Sequence, residues 1–208
     1  MTVPSSPTGP IGPVRKDRTF ADKPTIVGQR VVLRPLTVDD AGSLFASMDE
    51  ESARLTGTHR TFTFDELREW AGSRAATTDR LDLSIIERAT GTWLGELAIN
   101  DWNADDHSCN FRIAMGRAGR DRGLGTEATR LIVEYVFTNL PIHRISLDVF
   151  AFNERAAHVY QRVGFAREGV LRDNLYWDGV YHDSILKSIL RPEWEAARDE
   201  ADRGGVIP

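Results

Sequence analysis

The sequence predicts one mixed α/β (α+β) domain with a mostly antiparallel sheet, in which an antiparallel half is followed by a single βαβ unit. Apolar and polar residues alternate in three strands near 81–85, 93–99 and 108–115, and short polar turns join them without room for a crossover helix. A helix at 126–139 and a strand at 145–150 then form the βαβ step. The predicted order is βααβββαβαββ, with one splayed junction where the two halves of the sheet meet.

Two helices are predicted between the first strand and these three. Val31 begins the first strand, and Thr37 with Asp40 resembles a capping box at the start of the first helix. The apolar side chains expected to share one face of this helix are Ala41, Leu44, Phe45 and Met48. Thr63 with Glu66 marks the start of the second helix in the same way, and that helix is a candidate lid.

The C-terminal half is expected to end in a helix and a hairpin. Asn153 is predicted to cap the helix, which ends at Gly164, where glycine suits a left-handed backbone. The Asp-Gly dipeptide at 178–179 is typical of a hairpin turn, so strands at 165–171 and 181–190 should pair antiparallel.

Composition and charge exclude several classes of protein. Of the 208 residues, 41% are hydrophobic, which is enough to bury a core in one domain. The formal net charge of -5 argues against a nucleic-acid partner. Cys109 is the single cysteine, which excludes an internal disulfide and a cysteine-based zinc site, and the histidines lack metal-ligand spacing. We therefore expect no metal.

Domain boundaries follow from proline, glycine and charge content. Residues 1–24 are expected to form a disordered tail, 25–196 the domain, and 197–208 a fraying C-terminal tail. No uninterrupted apolar run is long enough to cross a bilayer, and the first residues lack the apolar core of a signal peptide. We expect a cytoplasmic protein with no membrane partner.

A glycine- and arginine-rich loop before the helix at 126 has the character of an anion site. Its residues are Arg117, Gly119, Arg120, Asp121, Arg122, Gly123, Leu124 and Gly125. Glycines let the backbone approach a ligand, amides at a helix start point at a bound anion, and arginines donate to phosphate oxygens. A solvated turn before an amphipathic helix explains the same residues, so the loop alone leaves both interpretations open.

The same glycines also satisfy a dinucleotide-binding fingerprint. Gly123, Gly125 and Ala128 fit G-x-G-x-x-A, and Asp148 lies near the distance expected for a ribose-binding acid. A Rossmann domain needs several parallel βα units, whereas only one crossover follows this loop. A Walker loop is excluded because no Gly-Lys-Ser/Thr sequence follows the glycines.

The segment RDRGLG at 120–125 resembles the Q/R-x-x-G-x-G/A acyl-CoA motif of the GCN5-related N-acetyltransferases (GNATs). TEA at 126–128 continues it as in the RimJ/RimL-like ribosomal-protein N-terminal acetyltransferase branch. Further stretches similar to that branch are 33–36, 95–96, Asn153 with 164–165, 168–172, 178–179, 182–183 and 189–190. The match spans about 31–194. It implies the GNAT fold, in which the fourth and fifth strands diverge and hold the pantetheine arm of acyl-CoA like an added strand.

The resemblance also implies the ligands and the residues that hold them. Acetyl-CoA, or another acyl-CoA, is the expected co-substrate, and the acceptor is a primary amine of a protein N-terminus, a lysine or a small molecule. The residues implied to bind the coenzyme are Arg117, Arg120, Arg122, Gly123, Leu124, Gly125, Thr126 and Asn153. Arg172, Trp177 and 182–183 are candidates for the acceptor mouth or for a homodimer contact.

Acyl transfer to an amine needs a base for the ammonium proton and an acid for the leaving thiolate. Tyr160 resembles the tyrosine that many family members use as the acid, and an ordinary pKa near 10 keeps a tyrosine protonated at neutral pH. Its place on the apolar stripe of its helix is equally typical of a core residue.

The base is harder to assign. Relatives in the branch commonly have Glu where this chain has Asn110, and an amide cannot accept the proton, although it can position the amine or a water. Glu96 in the neighbouring strand is our replacement, with Asp148 and His182 as further candidates; a solvated strand face would explain Glu96 equally well.

The sequence therefore predicts an N-acyltransferase that works by direct attack of the amine in a ternary complex. A catalytically impaired acyl-CoA-binding regulatory module is the alternative if the missing acid at Asn110 has no substitute, and a dinucleotide enzyme is the third hypothesis. Retention of Tyr160 favours the enzyme.

Overall fold

The computed structural model describes residues 19–204, which form an eight-stranded sheet and six α-helices. The strands are β1 (Ile26–Val27), β2 (Val31–Pro35), β3 (Leu81–Glu87), β4 (Trp93–Asn103), β5 (Ser108–Met115), β6 (Arg144–Phe150), β7 (Ala166–Trp177) and β8 (Val180–Leu190). The helices are α1 (Ala41–Ser47), α2 (Glu50–Thr56), α3 (Phe64–Ser73), α4 (Leu124–Asn139), α5 (Glu154–Val163) and α6 (Arg191–Gly204).

The sheet has the order β1-β2-β3-β4-β5-β6-β8-β7, and all neighbouring strands except β5 and β6 pair antiparallel. The parallel pair β5 and β6 meets only at 108–110 opposite 144–146, after which each strand continues without the other. The predicted mixed sheet and its splay are thus confirmed. A Rossmann arrangement is excluded, because it needs several parallel pairs.

Alternation along β4 places two apolar clusters on opposite faces of the sheet. Leu97 and Ile99 belong to a large cluster that includes buried side chains of α4 and α5. Ala98 and Glu96 point the other way, towards a smaller cluster formed by Leu36 together with side chains of α1 and α3. Glu96 therefore lies on the face that α1 to α3 cover.

The predicted stripe of the first helix is wrong in half of its members. Ala41 and Leu44 are buried, but Phe45 and Met48 are 46% and 45% exposed. The helix ends at Ser47, so Met48 lies beyond its last turn. Phe45 is still helical, but it lines a cleft outside the core and packs edge-on against Phe64 at 6.0 Å between ring centroids.

Helix α2 was missed because it buries no side chain and so has no apolar stripe. The signals that could have found it are its ends. The Asp49 side chain accepts a hydrogen bond from the Ser52 amide at 2.7 Å, and Gly57 ends the helix with a φ of 65°.

Several local predictions are confirmed by backbone geometry. Thr63 and Glu66 form the reciprocal capping box of α3, and Asn153 caps α5 by accepting from the Ala156 amide at 3.2 Å. Gly164 ends α5 with a φ of 109°, and both residues of the dipeptide at 178–179 have positive φ, as a tight hairpin turn requires.

Both predicted domain boundaries differ from where the fold begins and ends. Phe20 is 1% exposed and packs on Trp102 at 5.0 Å, so the last residues of the predicted N-terminal tail belong to the core. The boundary predicted at 196 falls inside α6. Residues 1–18 and 205–208 of the predicted tails lie outside the described residues. Within the described part of the chain, no helix combines the length and apolar character needed to cross a membrane.

Candidate active site

Two clefts meet on one side of the sheet. The first has a volume of about 460 Å³ and lies at the splay, between the diverging ends of β5 and β6 and the starts of α4 and α5. The second, of about 1050 Å³, lies between the sheet and α1 to α3. The residues that line both are Ser52, Thr56, Glu96, Arg112, Ala114 and Met115. One molecule in each cleft would therefore come into contact at Glu96 and its neighbours.

The first cleft brings together most of the site residues that the sequence predicted. Those that line it are Glu96, Asn110, Arg120, Gly123, Gly125, Thr126, Asn153 and Tyr160. Arg117, Arg122 and Leu124 do not line it, and the Leu124 side chain is fully buried in the core. Leu124 can act on a ligand only through its backbone amide.

The loop at the start of α4 presents a run of open amides. The backbone N–H groups of 121–126 have no acceptor among the described residues, and the first amide with a helical partner is that of Glu127, which donates to the Gly123 carbonyl at 3.2 Å. Gly123 makes the turn into the helix with a φ of 75°. Successive free amides at the positive end of a helix dipole form a site for phosphate groups.

The arginines predicted to donate to phosphate all have partners within the protein. Arg117 donates to Asp49 at 2.8 Å, and its side chain is 81% exposed. Arg120, 8% exposed, donates to the Met115 carbonyl at 2.9 Å, to Glu51 at 2.5 Å and to Ser52 at 2.6 Å. These bonds tie the loop to α2, so Arg120 holds the loop in place.

Two further ion pairs fix the rest of this loop. Arg122 pairs with Glu87 of β3 and donates to the Ala118 carbonyl at 2.9 Å. Arg155, at the start of α5, donates to Asp121 at 3.1 Å and thereby connects the two helix starts that border the cleft. The loop is therefore braced from several sides while its amides stay open.

Tyr160 projects from α5 into the aromatic part of the core and reaches the first cleft. Its ring packs edge-on against Phe111 and Phe165, with centroids 6.2 and 5.9 Å away. Burial raises the pKa of Tyr160 above its usual value, and the charge of Asp148 adds to the rise. No residue in the described part of the chain hydrogen bonds to the hydroxyl. The phenol is thus held protonated with its proton free for a ligand.

Glu96 is a half-buried carboxylate at the junction of the clefts. Burial raises the pKa of Glu96, and Asp82 adds to the rise, while Arg112 and Arg80 oppose it. Within residues 19–200 it has no hydrogen bond and no ion pair. The solvated strand face that could also explain its pattern is not what the structure shows, because α1 to α3 cover that face. An unpaired carboxylate with a raised pKa has the properties of a general base.

The remaining candidates are spread more widely. Asn110 donates to Asn100 at 3.3 Å in the first cleft, and Asp148 lines the same cleft from β6. His182 lines neither cleft and packs edge-on against Phe152 at 5.0 Å. Trp177 lines the second cleft and lies 5.0 Å from the His59 ring.

Diverging strands, an open-amide loop at a helix start and two joined clefts are the features of an acyl-CoA-dependent acyltransferase. Residues 30–166 match the family profile described as acetyltransferase (GNAT) domain. Because this match covers more than half of the chain, the protein belongs to the GNAT family and is an N-acetyltransferase.

Individual relatives agree with this assignment. Probable N-acetyltransferase YjcK of Bacillus subtilis is 37% identical over 187 residues, covering 81% of this chain and 98% of that protein. Putative ribosomal N-acetyltransferase YdaF of the same organism is 28% identical over 120 residues, covering 56% and 66%, and its name matches the branch that the motifs resemble. Spermidine N-acetyltransferase from Vibrio cholerae, solved with CoA and spermine, has the same fold, with a TM-score of 0.75, 22% identity, and coverage of 81% and 99%.

Of the residues at the second cleft, the sequence pointed to Trp177 but not to Arg112 or to the other aromatic side chains. Arg112 lines both clefts. Its position two residues after Asn110, on the same face of a strand, was the available signal.

Proposed function

We propose that the first cleft binds acetyl-CoA and that a primary amine enters through the second cleft to attack the acetyl thioester. The single observation that carries this proposal is the run of open amides at 121–126 beside an unpaired strand edge. The amides suit a pyrophosphate. The edge of β5 from Phe111 to Met115, which β6 leaves unpaired, suits the amide groups of a pantetheine arm as an added strand.

The chain's own groups then supply the proton transfers. Glu96 accepts the ammonium proton of the acceptor, directly or through a water, and so frees the nitrogen lone pair. As the nitrogen bonds to the acyl carbon and the carbon–sulfur bond breaks, Tyr160 donates its proton to the leaving thiolate. Asn110 positions the amine or the water. Asn153 caps α5 and so holds Tyr160 in register with the cleft.

The relatives do not agree on one class of acceptor. YdaF is named a putative ribosomal N-acetyltransferase and the Vibrio cholerae enzyme a spermidine N-acetyltransferase, so the names of the relatives point to different acceptors. The second cleft of this chain is therefore where the acceptor is decided.

A matched pair of glycine variants tests the coenzyme site. Gly123 and Gly91 have φ angles of 75° and 74°, and a Cβ atom at either position would meet no atom closer than 4.0 Å. Replacing either by Ala should cost about 1–2 kcal/mol of stability through the left-handed backbone. Only Gly123 lines the cleft.

We expect Gly123→Ala to raise the Kd for acetyl-CoA about tenfold or more, because displacing the amides weakens bonds to a charged ligand. Gly91→Ala should leave this Kd unchanged. Titration calorimetry with acetyl-CoA measures both. Equal affinities in the two variants would show that the coenzyme is not held at this loop.

A further inference from the structure

The junction of the two clefts carries two opposite charges and no others. Of the residues that line both clefts, only Glu96 and Arg112 are charged. They lie on adjacent strands, since Ala98 pairs with Arg112 and Glu96 with Ala114 in the register of β4 and β5. Both side chains therefore lie on the face that α1 to α3 cover, beside Asn110.

Arg112 differs from the other arginines of the second cleft. Arg60 pairs with Glu66, and Arg80 pairs with Asp82 at 2.6 Å, so both charges are compensated. In the part of the chain whose side chains are described, Arg112 has neither a hydrogen bond nor an ion pair, and no ion pair joins it to Glu96. Its guanidinium can donate two parallel hydrogen bonds to a carboxylate.

An unpaired carboxylate and an unpaired guanidinium at one junction complement a ligand with both charges. Resting on the proposed function, we infer that the acceptor is an amine with a carboxylate only a few bonds away, as in an α-amino acid. Glu96 takes the ammonium proton, and Arg112 binds the carboxylate. A polyamine has no acceptor group to which Arg112 could donate.

The walls of the second cleft indicate what the rest of this acceptor looks like. Besides several carboxylates, the second cleft is lined by five aromatic side chains, namely Phe45, Phe62, Trp70, Trp93 and Trp177. The volume of about 1050 Å³ leaves room for a large apolar side chain. We therefore assign the cleft to amino acids or amino-acid-like compounds with a bulky apolar side chain.

Paired substrates test this assignment. The initial rate of CoA release from acetyl-CoA is measured with the apolar L-amino acids, each compared with its own α-amide, and with spermidine. The amide keeps the amine and the side chain but removes the carboxylate charge. We expect kcat/KM for the best amino acid to exceed that for its amide by roughly 10- to 100-fold.

The variant Arg112→Gln should reduce this acid-to-amide ratio to about one, while Arg68→Gln keeps the wild-type ratio. Arg68 lies exposed on α3, lines neither cleft, and carries the same charge change. Succinyl-CoA serves as a second donor. If Arg112→Gln changes the ratio of succinyl to acetyl transfer but leaves the acid-to-amide ratio unchanged, Arg112 contacts the acyl group, and the inference is overturned.

Transfer to spermidine or to a peptide N-terminus but to no free amino acid also overturns it, and leaves the proposed acetyl-CoA site standing. Failure to bind acetyl-CoA, or absence of transfer to any amine, would instead contradict the proposed function itself.

Discussion

Glu96→Gln should lower kcat by about 10²- to 10⁴-fold and remove the acidic limb of the pH-rate profile. An amide cannot take the ammonium proton, and general base catalysis accounts for a factor of this size. Because burial raises the pKa of Glu96, the wild-type rate should begin to fall at a higher pH than the ordinary glutamate value of about 4.3. Steady-state rates from pH 5 to pH 9 at saturating acetyl-CoA measure this limb.

The same substitution should stabilise the protein at neutral pH. A carboxyl group whose pKa is raised in the folded state binds its proton more tightly there, so its ionisation above the unfolded-state pKa destabilises the fold. Gln removes this cost, which is about 1.4 kcal/mol for each unit by which the pKa is raised. Below about pH 4 the two proteins should be equally stable, because the carboxyl is then protonated in both states.

Asp148→Asn separates Glu96 from the competing base. Asp148 also lines the first cleft, but its loss should leave the acidic limb in place. If the acidic limb of the pH-rate profile survives in Glu96→Gln and disappears in Asp148→Asn, Asp148 is the base.

Tyr160→Phe should lower kcat by about 10- to 10³-fold while leaving the Kd for acetyl-CoA within a factor of about three, since general acid catalysis acts only on the leaving thiolate. The ring contacts with Phe111 and Phe165 do not use the hydroxyl, which has no partner among the described residues, so the fold should be unaffected. Stopped-flow single turnover with a saturating amine measures the chemical step.

Tyr135→Phe is the matched control for this experiment. Tyr135 is a second buried tyrosine whose hydroxyl has no partner in the described chain, but it lies on α4 away from both clefts. The Tyr135→Phe variant should have the kcat of the wild type. An equal loss in both variants, or none in either, would contradict the role of Tyr160 as the acid.

Local chemistry explains which parts of the fold the sequence could predict. The capping residues Thr63 and Asn153 and the terminal Gly164 act within a few residues of themselves, so their patterns are readable before the fold is known. Helix α2 has no such apolar pattern, because it lies over the loop and buries nothing. Phe45 was misplaced because it directly follows the buried Leu44 in the helix, and the spacing of apolar residues does not say whether a neighbouring element covers both.

In the candidate site, too, local features could be predicted from the sequence and contacts between distant segments could not. The glycine loop was predictable because the residues that expose its backbone amides are consecutive in the sequence. Arg120 was not, since its partners Glu51 and Ser52 come from a helix about seventy positions earlier, and a free and a paired arginine look alike in sequence. Glu96 and Arg112 meet only through the register of β4 and β5, which no single segment specifies.

Hydrogen exchange at the amides of 121–126, measured by mass spectrometry or NMR with and without saturating acetyl-CoA, tests the central claim directly. These amides have no acceptor in the described chain, so they should exchange quickly in the free protein and be strongly protected by the coenzyme. The turn around Gly91 should exchange equally in both states. Saturation with acetyl-CoA without protection at 121–126 would contradict the account.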